Sequence, residues 1–184
     1  MLTRARKVRG DGELVAHVDR GAEAHVDDDL VLDISAFLIT VDNKVPYNDQ
    51  RYCVFYNERL STDQSTRYVE DDNGAGEHIN VSLKNVDREV AKIVFAVSIY
   101  DADDLGYTFN RIPEAHFWIE GPFVGGQGEM EEIFSDNLSK HYGEAAAVVV
   151  GEIHRSGDGW KYIKLGHVYP SLLEIGAVYG VAFG

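Results

Sequence analysis

The run Lys92-Ile93-Val94-Phe95-Ala96-Val97-Ser98-Ile99-Tyr100 is apolar on both faces of a strand over most of its length. A strand of that kind requires cover on each side, from two layers or from a layer and a covering loop. Similar signals recur every ten to fifteen residues or so and are broken by Gly, Asn and Asp. They predict strands at Glu13–Val18, Val31–Val41, Tyr52–Asn57, Thr66–Val69, Ile79–Leu83, Lys92–Tyr100, Ala115–Glu120, Ala146–His154 and Trp160–Val168. Ser156-Gly157-Asp158-Gly159 supplies the positive φ angles that close a hairpin between the last two. Asp42-Asn43-Lys44 marks a second turn, and Gly121–Gly128 reads as a glycine-rich loop.

After Pro170, the residues Leu172, Leu173, Ile175 and Tyr179 recur at helical spacing and Gly180 provides a stop. One helical turn is expected at Asp87–Ala91, and Glu129–His141 fits a strand or a helix equally well. The expected fold is mainly β: an antiparallel β-sandwich of two sheets with a short C-terminal helix. With 184 residues and no linker or internal repeat, residues 1–184 read as a single domain, with 1–12 a basic N-terminal tail or an edge strand.

Charge narrows the function. Apart from Arg4, Arg6, Lys7 and Arg9, the chain carries 13 basic against 31 acidic side chains. An acidic body is unsuited to phosphate-backbone binding, so no nucleic-acid partner is expected. No segment approaches the length of a membrane span, and no apolar stretch follows the basic start, so a cytoplasmic protein is the expectation. Cys53 has no partner for a disulfide and lies in an apolar strand, where cysteine is usually a small core residue.

Acidic clusters end or join several strands: Asp27-Asp28-Asp29, the stretch Glu70-Asp71-Asp72-Asn73-Gly74-Ala75-Gly76-Glu77, and Asp101-Ala102-Asp103-Asp104. Close carboxylates repel and raise one another's pKa unless a positive charge lies between them. In the central stretch Asp71, Asp72, Asn73 and Glu77 offer seven side-chain oxygens, the donor type that Ca²⁺ prefers. The spacing is not that of an EF-hand. Three solvated acidic turns are the alternative. The seven histidines show no zinc spacing, G-x-S-x-G is absent, and Gly125-Gly126-Gln127-Gly128 lacks the Lys-Ser/Thr of a P-loop.

Several segments in order resemble the TerD-type tellurite-resistance and stress-response family, which includes cAMP-binding-protein-like members. They are Leu32-Asp33-Ile34-Ser35-Ala36-Phe37-Leu38, Val54-Phe55-Tyr56-Asn57, Asp72-Asn73 with Gly76-Glu77, and Lys92 through Ala102. Thr108-Phe109, Gly151-Glu152-Ile153-His154-Arg155, Gly159-Trp160-Lys161-Tyr162 and Tyr179-Gly180 complete the series. The resemblance implies a calcium-binding β-sandwich without enzymatic activity that acts in resistance to tellurite and other stress through protein partners. Carried over by position, it implies metal ligands at Asp29, Asp33, Asp72, Asn73, Glu77 and Asp101; Asp71 or Asp103 would be the residue to compensate for carboxylates that the loop lacks. The family's longer Asp- and Gly-rich loop is shortened here, and Val31 stands where the family often has Asp. The expected complement is therefore one or two Ca²⁺ ions, or none if the short loop has lost its site. In that last case the chain reads as an interaction module with no ion requirement.

Overall fold

The computed structural model describes residues 7–21, 30–72 and 76–183. Strand β1 (Lys7–Arg9) is followed by β2 (Glu13–Asp19), β3 (Leu32–Ile39), β4 (Cys53–Val54), β5 (Thr66–Glu70) and β6 (Gly76–Ser82). Next come β7 (Lys92–Ile99), the short helix α1 (Ala102–Leu105), β8 (His116–Gly121), β9 (Glu131–Asn137) and α2 (Leu138–His141). The chain closes with β10 (Ala147–Ser156), β11 (Gly159–Tyr169) and α3 (Leu172–Val178).

The strands form two antiparallel sheets, of order β1-β11-β10-β7-β3-β4 and β5-β6-β2-β8-β9. The first contains the strands that are apolar on both faces. β3 is buried at every residue, and it pairs with β7 from Leu32↔Ile99 to Ile39↔Lys92. One face of this sheet meets the second sheet, where Phe95 and Phe117 lie 6.3 Å apart and Phe134 stacks on Tyr162 at 4.5 Å. The other face is covered by the C-terminal segment, where Phe37 packs at 5.2 Å from Tyr179 and 6.4 Å from Phe183. The second sheet instead alternates. Leu14, Ala16, Val18, Ile79, Val81, Phe117 and Ile119 point into the core, and the intervening residues face outward. Each fully buried large apolar side chain contributes roughly 1.5–3 kcal/mol to stability.

The β-sandwich and the short C-terminal helix agree with the sequence reading. The β10–β11 hairpin is present, with Gly157 at φ 62° in its turn. α3 buries Ile175, with Tyr179 just beyond it, and Gly180 at φ 73° turns the chain after it. Among the described residues, no helix is long and apolar enough to cross a membrane.

Several details differ from expectation. Of the two readings of the basic N-terminus, the edge strand is the one found for Lys7–Arg9, which pairs with β11. The first half of Glu129–His141 is strand and the second half is helix, with Asn137 Oδ1 capping the Lys140 N–H at 2.9 Å. In place of the expected helical turn at Asp87–Ala91 there is a single β-turn, closed by the Val90 N–H donating to the Asp87 carbonyl at 2.9 Å while the Asp87 carboxylate accepts the Glu89 N–H at 2.9 Å, and a 3-10 turn forms earlier, at Leu83–Asn85. The strand expected at Val31–Val41 ends at Ile39. Thr40 then closes a turn onto the Lys44 carbonyl at 2.9 Å, and Val41 is exposed. β4 keeps only two of the six residues expected at Tyr52–Asn57. Its front forms a 3-10 turn capped by Asp49, and Phe55 and Glu58 bridge into a tight turn behind it.

Candidate functional site

The brevity of β4 creates the site. It pairs with β3 only at Ala36 and Phe37, so the earlier edge of β3 has no strand beside it. A buried backbone N–H must find a partner. The Ile34 N–H donates to Glu77 Oε1, and Glu77 is buried at the start of β6 in the opposite sheet. Its other oxygen, Oε2, accepts from the Tyr68 hydroxyl. Tyr68 pairs with Ile79, so Glu77 is its diagonal neighbour, within reach of a tyrosine. The side chain of Glu77 thus ties the two sheets together. Burial pushes its pKa up to about 7, against the lowering effect of its two donors, and Glu70 and Asp71 add to the rise.

Asp33 is the neighbouring residue on β3 and points to the other face from Ile34. It is 5% exposed, and among the described residues its carboxylate accepts no hydrogen bond. Burial first, and then the charge of Glu77, raise its pKa to about 8. Asp33, Glu77, Asp71 and Glu70 line one cavity of about 500 Å³, together with Tyr56, Tyr68, Tyr100 and Arg20. Arg20 is directed at the backbone, and its Nη1 donates to the Leu30 carbonyl at 3.3 Å. Asp71 is held by His78 Nδ1 at 2.6 Å. A Cβ on Gly76 would lie 2.3 Å from the Val18 carbonyl and 3.1 Å from Asp71 Oδ2, so glycine is needed where the hairpin closes.

The expected ligands therefore divide into groups. Asp33, Asp71 and Glu77 share the first cavity. Asp33 and Asp101 share a second, of about 300 Å³, with Asn57 and Asp103. Asp101 sits at φ 56°, at the start of α1. Asp72 is exposed and lines neither cavity. Asp29 and Asn73 lie outside the described residues. Among the described residues, no three His, Cys, Asp or Glu side chains converge as a ready-made metal cluster.

Sequence reasoning missed Tyr68, Tyr56, Tyr100 and the Ile34 N–H as parts of this site. The signal for Tyr68 was its place on the same strand as Glu70, but the diagonal contact with Glu77 depends on hairpin register. Cys53 is fully buried and its thiol pKa is raised by burial, which removes it as a nucleophile or an oxyanion ligand.

Residues 10–175 match the TerD domain. Tellurium resistance protein TerD of Serratia marcescens is 29% identical over 159 residues, covering 83% of this chain and 79% of that protein. General stress protein 16U of Bacillus subtilis is 27% identical over 162 residues, covering 85% and 80%. The crystal structure of a TerD homologue from Streptomyces coelicolor A3(2) superposes with a TM-score of 0.68 at 18% identity, covering 97% of this chain and 99% of that one, which is a likeness of fold. The domain match spans residues 10–175, most of the chain, and the fold agrees with it: the chain belongs to the TerD family.

Proposed function

We propose that the chain is a calcium-binding stress-response protein of the tellurium-resistance type, acting in the cytoplasm through protein partners and not through catalysis. One observation carries the reading: two carboxylates, Asp33 and Glu77, are buried on one cavity with pKa values raised to about 8 and about 7. Such a pair is costly as two charges and is relieved when a cation lies between them. The donors around that cavity suit a hard ion, since Glu70, Asp71 and backbone carbonyls add oxygen and no thiol is present. Asp33, Glu77 and Asp71 would hold the ion, and Asp101 would serve the second cavity. Because Glu77 already bridges the sheets, a bound Ca²⁺ would fasten β3 to the β5–β6 hairpin and fix the surface offered to a partner. The ion would stabilise the fold by mass action, by about 2.7 kcal/mol at a hundredfold excess over Kd.

The test is thermal unfolding of EDTA-stripped protein with Ca²⁺ or Mg²⁺ added. A Tm that rises with Ca²⁺ and much less with Mg²⁺ supports the reading. A Tm indifferent to Ca²⁺ rejects it. That result would favour a second reading, motivated by the lack of a converged ligand set among the described residues: an interaction module with no ion requirement. Chelator-insensitive capture of a defined partner would then support that reading.

A further inference from the structure

The C-terminal segment, from Ser171 through α3 to Phe183, lies across the outward face of the first sheet and is built as a separable piece. α3 has seven residues, too few to hold a helix alone in water. The segment's backbone hydrogen bonds are internal: Ile175 N–H donates to the Ser171 carbonyl, and the N–H groups of Tyr179 and Val181 donate to the Gly176 carbonyl at 3.0 and 2.8 Å. Phe183 then folds back over Gly176, where a Cβ would lie 2.5 Å from the ring. Among the described residues, the hydrogen bonds that tie this segment to the rest of the fold come from one side chain. Gln50 Nε2 donates to the Gly180 carbonyl at 3.1 Å, and Gln50 Oε1 accepts the Ala182 N–H at 2.8 Å. The remaining hold is apolar: Ile175, Tyr179 and Val181 are buried, and Phe183 meets Phe55 edge-on at 5.0 Å.

The same segment completes the second cavity. Ser171, Leu172, Leu173 and Phe183 supply one wall, and Asp33, Asp101 and Asp103 also line it. Closure sets these carboxylates, Asp33 above all, beside an apolar wall that cannot solvate them. A cation among them offsets that cost, and exclusion of water by the wall strengthens its attraction to them. We propose that residues 171–183 form a strap whose closure over the second cavity is coupled to the carboxylate charge facing it: a bound cation holds the strap down, and removal of the cation loosens it. The inference rests on the calcium reading and adds its regulation, because lifting the strap uncovers Phe37 and Phe55 and changes the face offered to a partner. Coupling of this kind is reciprocal, so the closed strap raises Ca²⁺ affinity by the factor that Ca²⁺ adds to closure.

The test is hydrogen exchange of the full chain, read by mass spectrometry near pH 8 in EDTA and in saturating Ca²⁺. In EDTA the amides of 172–183 should exchange faster than those of β3 beneath them, because the strap opens without the sheet. Ca²⁺ should slow the strap amides by about fivefold or more and leave those of the exposed turn at Gly157 and Asp158 unchanged. Gln50 is exposed and lines neither cavity, so Gln50→Ala acts on the strap alone. It should speed exchange of the strap and lower Ca²⁺ affinity by up to the same factor. Asp101 sits at φ 56°, a conformation that asparagine also adopts, so Asp101→Asn removes a charge and keeps the backbone. In EDTA that variant should exchange its strap amides more slowly than the parent. Strap exchange indifferent to Ca²⁺ in a chain that binds the ion, or Gln50→Ala that frees the strap with Ca²⁺ affinity intact, overturns the proposal. If calorimetry shows no Ca²⁺ binding, the calcium reading fails by itself and Asp101→Asn in EDTA decides the coupling: strap exchange equal to the parent's overturns it, and slower exchange upholds it.

Discussion

Replacing Asp33 with asparagine separates the cost of the buried carboxylate from its use. In the folded chain Asp33 holds its proton up to about pH 8, whereas in an unfolded chain the group ionises near the ordinary carboxylate value of 3.8. Between those limits folding takes up a proton, so this group makes the calcium-free protein less stable as pH rises from about 4 to about 8, and no further above that. At pH 7 the gap of about three pKa units corresponds to roughly 4 kcal/mol, at 1.36 kcal/mol per unit. Asparagine removes that term, but its buried amide lacks a partner among the described residues and costs about 1–3 kcal/mol. In EDTA, Asp33→Asn should therefore be more stable than the parent by about 1–3 kcal/mol near pH 7. The difference should shrink as pH falls and change sign between about pH 4.5 and 6, where the ionisation term drops to the cost of the amide. Urea denaturation at half-unit pH steps measures it. A difference that stays flat from pH 4 to 8, or a variant less stable at pH 8 than at pH 4 relative to parent, would refute the reasoning.

Other substitutions probe neighbouring parts of the account. Tyr68→Phe removes one of the two donors to Glu77, so the Glu77 pKa should rise further and Ca²⁺ affinity at pH 7 should fall. Calorimetry at pH 7 and 8.5 should show the loss largely recovered at the higher pH. Gly151→Ala places a Cβ 2.1 Å from the Tyr162 hydroxyl and 2.6 Å from the Ile163 carbonyl, and should lower stability by about 1–3 kcal/mol in urea melts. Phe117→Ala empties a fully buried position facing Phe95 and should cost about 3–5 kcal/mol by the same assay.

The fold was legible where burial forces a pattern. β2, β6 and β8 alternate, and β3 and β7 are apolar on both faces, so their period or their continuity shows in the sequence. β9 is an edge strand that begins with two exposed glutamates and buries Asp136, which leaves no period to read. β1 is too short, at three residues, to carry one. The acids of the site were legible as acids. That Asp33 and Glu77 meet depends on long-range pairing: Glu77 reaches β3 only because β4 ends early and exposes the Ile34 N–H. Tyr68 joins them through the β5–β6 register, which local residue types do not encode.

The central claim is that this TerD-family chain binds Ca²⁺ through its buried carboxylates. Calorimetric titration of Ca²⁺ into EDTA-stripped protein near pH 8, with Mg²⁺ as the control ion, tests it most directly. Saturable binding of one or two Ca²⁺, with Mg²⁺ much weaker, is the predicted result. Glu77→Gln should abolish it, while exposed Asp158→Ala should leave it intact. An absence of Ca²⁺ binding, or equal losses in Glu77→Gln and Asp158→Ala, would contradict the account.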